Sequence, residues 1–155
     1  METLFKSADA AMYLAKQNGR NNYCFFTAEI QQRSSRILSL ENALRNAYTR
    51  DELSLHYQPQ IELESGKIVG MEALLRWTHP EFGSIAPSEF IPIAEESGQI
   101  LLLGEWVLRT AAIRMKQWIN MGFPPMSVAV NLSAVQFHHE NLSNLVSTII
   151  DEVQL

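Results

Sequence analysis

The sequence has little cysteine, no cluster of basic residues and no long apolar run. Cys24 is the only cysteine among the 155 residues, which excludes an internal disulfide and a cysteine-rich metal site. A single thiol fits a reducing compartment, so we expect a cytoplasmic location. Lys and Arg number 12 against 17 Asp and Glu, for a net charge of −5. A surface that follows the phosphates of DNA or RNA therefore has no support, whereas a small anionic ligand is compatible with this composition.

Membrane-spanning and secretory patterns are missing as well. The longest strongly apolar stretch, from Ile100 to Leu108, is too short to cross a bilayer and contains Glu105. The first residues, METLFKSADAA, lack the apolar core of a signal peptide. We predict no membrane segment in this chain and leave open whether a longer parent is anchored through upstream segments.

The residues that are present describe a soluble globular protein of about one average domain, with 46% hydrophobic and 19% charged residues. Before residue 50 the pattern predicts a helix over residues 8–18 that ends at Gly19, a short strand over 21–26 and an amphipathic connecting helix over 28–48. A coiled-coil signalling linker is the alternative for the connecting helix, but a helix packed on a neighbouring domain is favoured.

Beyond residue 50 strands alternate with helices. The predicted strands cover residues 52–60, 68–77 and 126–133, and the predicted helices are a short one over 87–97 interrupted by Pro92, a long one over 99–121 and a last one. Ser133 and Gln136 have capping-box spacing at the start of the last helix, which is predicted to extend to Val153. This alternation predicts an α/β layered fold or barrel.

Two charged residues in the second predicted strand need partners. In the stretch VGMEALLRWTHP, Glu72 and Arg76 point to the same face, but about 13 Å of strand separates them, too far for a simple ion pair. Gln58 and Asn131 lie near the ends of the first and third strands, so three polar side chains converge if the strands form a barrel. Their oxygens suit Mg²⁺, and Arg76 suits a phosphate. An exposed glutamate and an asparagine that only caps a turn are the plain alternatives.

Several ordered motifs resemble one family. The segment LHYQPQIELESGKIVGMEALLRWTHPEFGSIAPSEFIPIAEESGQI, followed by LGEWVL and VAVNLSAVQF, is similar to the N-terminal half of EAL domains, bacterial phosphodiesterases that hydrolyse cyclic di-GMP. The tripeptide that names the family is Glu72, Ala73 and Leu74. The resemblance implies an α/β fold, the N-terminal portion of a TIM-like (β/α)8 barrel, truncated and preceded by a helix-strand remnant and a linker helix.

The resemblance also implies a domain organisation. Residues 8–26, ADAAMYLAKQNGRNNYCFF, look like the last helix and strand of a GGDEF diguanylate cyclase domain. We therefore expect residues 1–27 to be a GGDEF remnant, 28–50 an interdomain helical linker and 51–155 the N-terminal half of an EAL domain. The GGDEF signature itself is absent, which excludes cyclase activity for this chain.

Four residues match functional positions of the EAL family. By this resemblance Glu72 and Asn131 are metal ligands for Mg²⁺ or Mn²⁺, and Gln58 and Arg76 contact cyclic di-GMP, Arg76 at its phosphate. The implied reaction is two-metal hydrolysis to linear pGpG, in which the ions lower the pKa of the attacking water and neutralise charge on the attacking and leaving oxygens.

Other family residues are not matched within these 155 residues. No catalytic group is identified, and we expect the general base beyond Leu155, so the chain is expected to be a fragment that is inactive alone. An EAL homodimer in the full-length parent stays open. The main alternative is a catalytically silent EAL domain that serves as a cyclic di-GMP receptor or protein-interaction module. A different metal-dependent α/β barrel hydrolase is a third and weaker interpretation.

Overall fold

The computed structural model describes residues 25–124, 126–138 and 141–155, together with the isolated positions 5, 7, 8, 11, 12, 15, 21 and 23. The chain divides into two compact units, Met1–Ala43 and Leu44–Leu155. Within the described part of the chain, no helix has both the length and the apolar character that a bilayer span requires.

The N-terminal residues agree with the predicted helices. Positions 8, 11, 12 and 15 are helical, as predicted for the helix over 8–18, and positions 5 and 7, before its predicted start, are helical as well. The predicted end at Gly19 lies outside the described residues. Helix α1 covers Ala28–Ala47, which confirms a helix at the predicted position to within one residue.

The short strand predicted over residues 21–26 is wrong at its described positions. Asn21 lies in a bend, and residues 23, 25 and 26 have no regular structure. A strand needs a neighbour to accept and donate its backbone hydrogen bonds, and no described strand pairs with this segment. Tyr23 and Phe25 are accordingly 80% and 79% exposed. Cys24, which falls within the predicted strand, lies outside the described residues.

The second unit is built on a four-stranded mixed sheet with β2 as its central strand. The strands are β1 (Leu53–Ile61), β2 (Ile68–His79), β3 (Gly83–Ile85) and β4 (Ser127–Val130). Strand β1 forms an antiparallel hairpin with β2, β3 pairs antiparallel with the last residues of β2, and β4 runs parallel to its first half. The sequence had not predicted β3, because three residues are too few to show an alternating pattern.

Helices cover one face of this sheet. They are α2 (Pro87–Glu96), α3 (Ile100–Asn120), α4 (Ala134–Phe137) and α5 (Leu142–Val153). Trp77 of β2 is completely buried and packs edge-to-face on Phe90 of α2, with ring centroids 5.4 Å apart. Tyr57 of β1 packs on Trp118 of α3 in the same way, at 4.9 Å. The odd-numbered residues of β1 and β2 therefore form the core face of the sheet.

Helix α2 is continuous, so the interruption predicted at Pro92 is wrong. Pro87 occupies the first turn, where its missing N–H costs nothing, and Pro92 removes one backbone hydrogen bond further along. Phe90, Ile93 and Ala94 form a buried face on this helix. Burial of that face outweighs one lost hydrogen bond, because most helix stability in proteins comes from packing.

The single last helix predicted from Ser133 to Val153 is also wrong, because α4 ends at Phe137 and α5 begins at Leu142. Both helices pack on α3. Gln136 of α4 and Ile149 of α5 are buried, at 5% and 2% exposed. Two separate helices allow both side chains to reach α3.

Candidate functional site

The even-numbered residues of β1 and β2 lie on the sheet face opposite the helices. Gln58 is exposed, and Glu72 and Arg76 are partly exposed. Residues that oppose each other across a strand pair share a face. Gln58 is opposite Glu72 on one side, and Ala129 of β4 is level with Glu72 on the other. The polar residues of three strands thus share one open face.

Glu72 and Asn131 are in direct contact. The Nδ2 of Asn131 donates a hydrogen bond of 2.7 Å to Oε1 of Glu72. This orientation leaves Oδ1 of Asn131 and Oε2 of Glu72 with no hydrogen-bond partner among the described residues. A carboxylate oxygen and an amide oxygen are both ligands that a hard divalent ion prefers.

The parallel pairing of β2 with β4 brings this pair together. The register places Glu72 level with Ala129, so Asn131, two residues further on, has the same sheet face and lies just past the end of the strand. The third strand was predicted to extend to Ser133, but its pairing ends at Val130. Asn131 is therefore a loop residue directly after the strand, where its side chain turns back to Glu72.

Gln58 reaches the same place through the β1–β2 hairpin. Directly opposite residues of an antiparallel pair have Cβ atoms about 4.5–5.5 Å apart, and Gln58 is opposite Glu72. The predicted convergence of Gln58, Glu72 and Asn131 is observed. Its predicted cause was incomplete, because β1 runs antiparallel to β2 and not parallel to it.

Arg76 lies four residues beyond Glu72 on the same face and is not in contact with it. Its Nη1 donates a hydrogen bond of 2.8 Å to the backbone carbonyl of Leu75. This bond uses one of the five N–H donors of the guanidinium group. The remaining donors leave Arg76 able to bind an anion in a forked arrangement.

Sequence reasoning did not include His56 in the candidate site. His56 is exposed and lies opposite Leu74, on the same face as Gln58 and between the levels of Glu72 and Arg76. The alternation of β1 that placed Gln58 also places His56, so the signal was present in the sequence.

The described residues include no group of three or more His, Cys, Asp or Glu side chains that could hold a metal ion. Glu72 and Asn131 offer two oxygen donors of the roughly six that Mg²⁺ requires. The arrangement fits part of a divalent-metal site, and the remaining ligands have to be waters, a bound phosphate or other residues.

Comparison with known families decides what this sheet belongs to. Residues 41–155 match the family model described as the EAL domain. The chain belongs to the EAL domain family. The predicted family is thereby confirmed, and the matched EAL residues contain all four predicted site positions.

Characterised relatives are similar along most of this EAL chain. It is 47% identical over 143 residues to a protein of Pseudomonas aeruginosa named bifunctional diguanylate cyclase/cyclic di-GMP phosphodiesterase MucR. The aligned residues make up 92% of this chain and 21% of that protein. It is 40% identical over 150 residues to the cyclic di-GMP phosphodiesterase PdeR of Escherichia coli, covering 97% of this chain and 22% of that protein. The chain thus spans about a fifth of the length of these relatives.

A solved EAL structure has the same fold. The structure of the PaMucR phosphodiesterase in complex with c-di-GMP superposes with a TM-score of 0.73 and 44% identity, over 76% of this chain and 47% of that one. The predicted fold class is confirmed: the chain has the mixed α/β fold of part of a TIM-barrel-like EAL domain.

Proposed function

We propose that this EAL domain is part of a cyclic di-GMP phosphodiesterase that hydrolyses its substrate to linear pGpG. The observation that carries the proposal is the contact between Glu72 and Asn131 on the open face of the sheet, with one oxygen of each left unpaired. The names of two relatives that cover nearly all of this chain describe that activity.

Glu72 and Asn131 are proposed to hold Mg²⁺ or Mn²⁺ through Oε2 and Oδ1. When bound, a divalent ion supplies an acidified water and neutralises charge on the phosphate oxygens. The hydrogen bond from Asn131 to Oε1 of Glu72 restrains the orientation of the carboxylate and leaves Oε2 of Glu72 and Oδ1 of Asn131 available to an ion. The chain's own contribution is thus a pair of oxygen ligands whose relative position is set before the ion binds.

Gln58 and Arg76 are proposed to bind the dinucleotide next to the Glu72–Asn131 pair. Gln58, opposite Glu72, offers amide donors and an acceptor to a base or sugar. Arg76 offers paired N–H groups to a phosphate, and its bond to the Leu75 carbonyl restricts the direction of the guanidinium plane. The substrate would then lie along β2, with its reacting phosphate between Arg76 and the Glu72–Asn131 pair.

The remaining parts of the organisation are proposals of the same kind. Residues 1–27 are assigned to the end of a GGDEF domain and 28–50 to the linker between the two domains, and the name of the bifunctional relative MucR supports a tandem arrangement. The proposed location is the cytoplasm, and the full-length protein is proposed to pair through its EAL domains.

The test of substrate binding compares two glutamines on the same strand. Gln58→Ala should raise the KM of the full-length gene product for cyclic di-GMP, because it removes a contact opposite Glu72. Gln60→Ala is the matched control: Gln60 is also exposed and on the same face, but it lies opposite Gly70, one level further from Arg76. Chromatography of the products with Mg²⁺ or Mn²⁺ should show pGpG.

Arg76→Lys keeps the charge and loses the forked geometry, so it should also raise KM. Equal effects of the Gln58 and Gln60 substitutions would contradict the placement of the substrate. Binding of the dinucleotide without any pGpG would favour the alternative, a cyclic di-GMP receptor.

A further inference from the structure

We infer that Gln136, seated against Gly104 of helix α3, is a positioning residue that fixes the turn carrying Asn131 and thereby the Glu72–Asn131 pair. The consequence for metal affinity rests on the proposed function. The consequence for the position of Asn131 does not, because it follows from the contacts of the protein alone.

Gln136 and Ser133 form a reciprocal capping box at the start of α4. The backbone N–H of Ser133 donates to Oε1 of Gln136 at 3.0 Å, and the backbone N–H of Gln136 donates to Oγ of Ser133 at 3.4 Å. The two bonds close a ring that sets the backbone direction at Ser133. Asn131 precedes this point by only two residues.

Gly104 provides the space in which the Gln136 side chain lies. A Cβ placed on Gly104 would lie 1.6 Å from Nε2 and 2.8 Å from Cδ of Gln136, which is too close for atoms that are not bonded to each other. Gln136 is only 5% exposed. A glycine inside a helix costs roughly 1 kcal/mol relative to alanine. In the second turn of α3 it allows a polar side chain of another helix to reach the helix backbone.

The segment between β4 and α4 is short and irregular. Strand pairing ends at Val130, and residues 131–133 have no regular structure. Asn131 is exposed, so packing does not hold its side chain. The turn is therefore held by β4 before it and by the Ser133–Gln136 capping box after it, and the capping box is attached to α3 through Gly104.

Two substitutions on different helices disturb this attachment by different means. Gln136→Met keeps the length and volume of the side chain and removes the acceptor for the Ser133 N–H. Gly104→Ala leaves Gln136 intact and displaces it from its seat. Gln117→Met is the matched control, because Gln117 is an exposed glutamine on α3 that makes no side-chain hydrogen bond with a described residue.

The first measurement is the side-chain amide signal of Asn131 in the metal-free, full-length gene product labelled with ¹⁵N-asparagine and assigned by its loss in Asn131→Asp. Gln136→Met and Gly104→Ala should move this signal toward that of a solvent-exposed amide, and Gln117→Met should not. The second measurement is Mn²⁺ affinity by calorimetry, which should weaken at least tenfold in both variants, as expected when support behind a metal ligand is lost. The double variant should lose no more than the weaker-binding single variant.

Thermal unfolding of every variant shows whether it is folded at the temperature of these measurements. An unchanged Asn131 signal and unchanged Mn²⁺ affinity in folded Gln136→Met would overturn the inference. If the unsubstituted protein binds no Mn²⁺, the proposed function fails, while the amide signal still decides whether Gln136 positions Asn131.

Discussion

Replacement of Trp77 by phenylalanine should destabilise the protein by about 2.5–4 kcal/mol, as the two contributions below show. Trp77 is completely buried, and its Nε1–H donates a hydrogen bond of 3.1 Å to Oε2 of Glu52, which is itself 8% exposed. A hydrogen bond to a charged group contributes about 1.5–3 kcal/mol. The smaller ring also leaves a cavity of roughly 40 Å³, worth about 1 kcal/mol at 24 cal/mol per Å³.

Urea unfolding followed by circular dichroism measures this loss without depending on tryptophan fluorescence. Trp118→Phe is the matched control, since Trp118 is only partly buried and its Nε1–H has no hydrogen-bond partner among the described residues. The control should lose only the ring contribution, about 1 kcal/mol or less. If Trp77→Phe costs no more than the control, the hydrogen bond to Glu52 does not stabilise the fold and the reasoning is wrong.

Two further substitutions test the two faces of the sheet. Burial raises the pKa of Tyr57 above its usual 10.0 despite the nearby Arg114 charge. The tyrosine of the unfolded chain therefore ionises at lower pH than that of the folded protein, so the free energy of unfolding should fall as the pH rises above 10. Tyr57→Phe should remove this contribution to the pH dependence, as measured by urea unfolding between pH 9 and about 11. A free energy of unfolding that falls more steeply with pH in Tyr57→Phe than in the unsubstituted protein would contradict this prediction. Gly70→Ala places a Cβ 2.6 Å from Oγ and 3.1 Å from the backbone O of Ser127, so it should separate β2 from β4 and cost about 1–3 kcal/mol by urea unfolding. An unchanged free energy of unfolding would show that β4 can shift away from β2 at Ser127 without cost, which contradicts this prediction.

Patterns in the sequence predicted the long elements well. The alternation in β1 and β2 and the period of α1 and α3 extend over nine or more residues, and each was placed to within two residues. The short elements were missed or misjudged for the same reason. Strand β3 has three residues and α4 has four, so neither shows a period.

The break between α4 and α5 depends on tertiary packing that the sequence does not display. A capping box at Ser133 and apolar residues as far as Val153 are compatible with one helix. In the structure, Gln136 of α4 lies against Gly104 and Ile149 of α5 is buried, and neither contact is visible in the local sequence pattern. The continuity of α2 through Pro92 has a similar origin, because the packing of Phe90 was not visible in the local pattern.

The candidate site was predicted in its residues more fully than in its geometry. Strand periodicity put Glu72 and Arg76 on one face, and the family resemblance supplied the proposed role of Asn131 as a metal ligand. Neither could show that Asn131 donates to Glu72, because this contact depends on the register of β2 with β4. The sequence pattern likewise did not show that β1 runs antiparallel to β2, which is what places Gln58 opposite Glu72.

The central claim is that Glu72 belongs to the metal site of a cyclic di-GMP phosphodiesterase. The most direct test measures pGpG formation with Mg²⁺ or Mn²⁺ by the full-length gene product and by its Glu72→Ala variant, with the 155-residue chain assayed in parallel. The account predicts that the full-length protein forms pGpG, and that the variant and the 155-residue chain do not. A folded Glu72→Ala variant that hydrolyses cyclic di-GMP at the unsubstituted rate would contradict it.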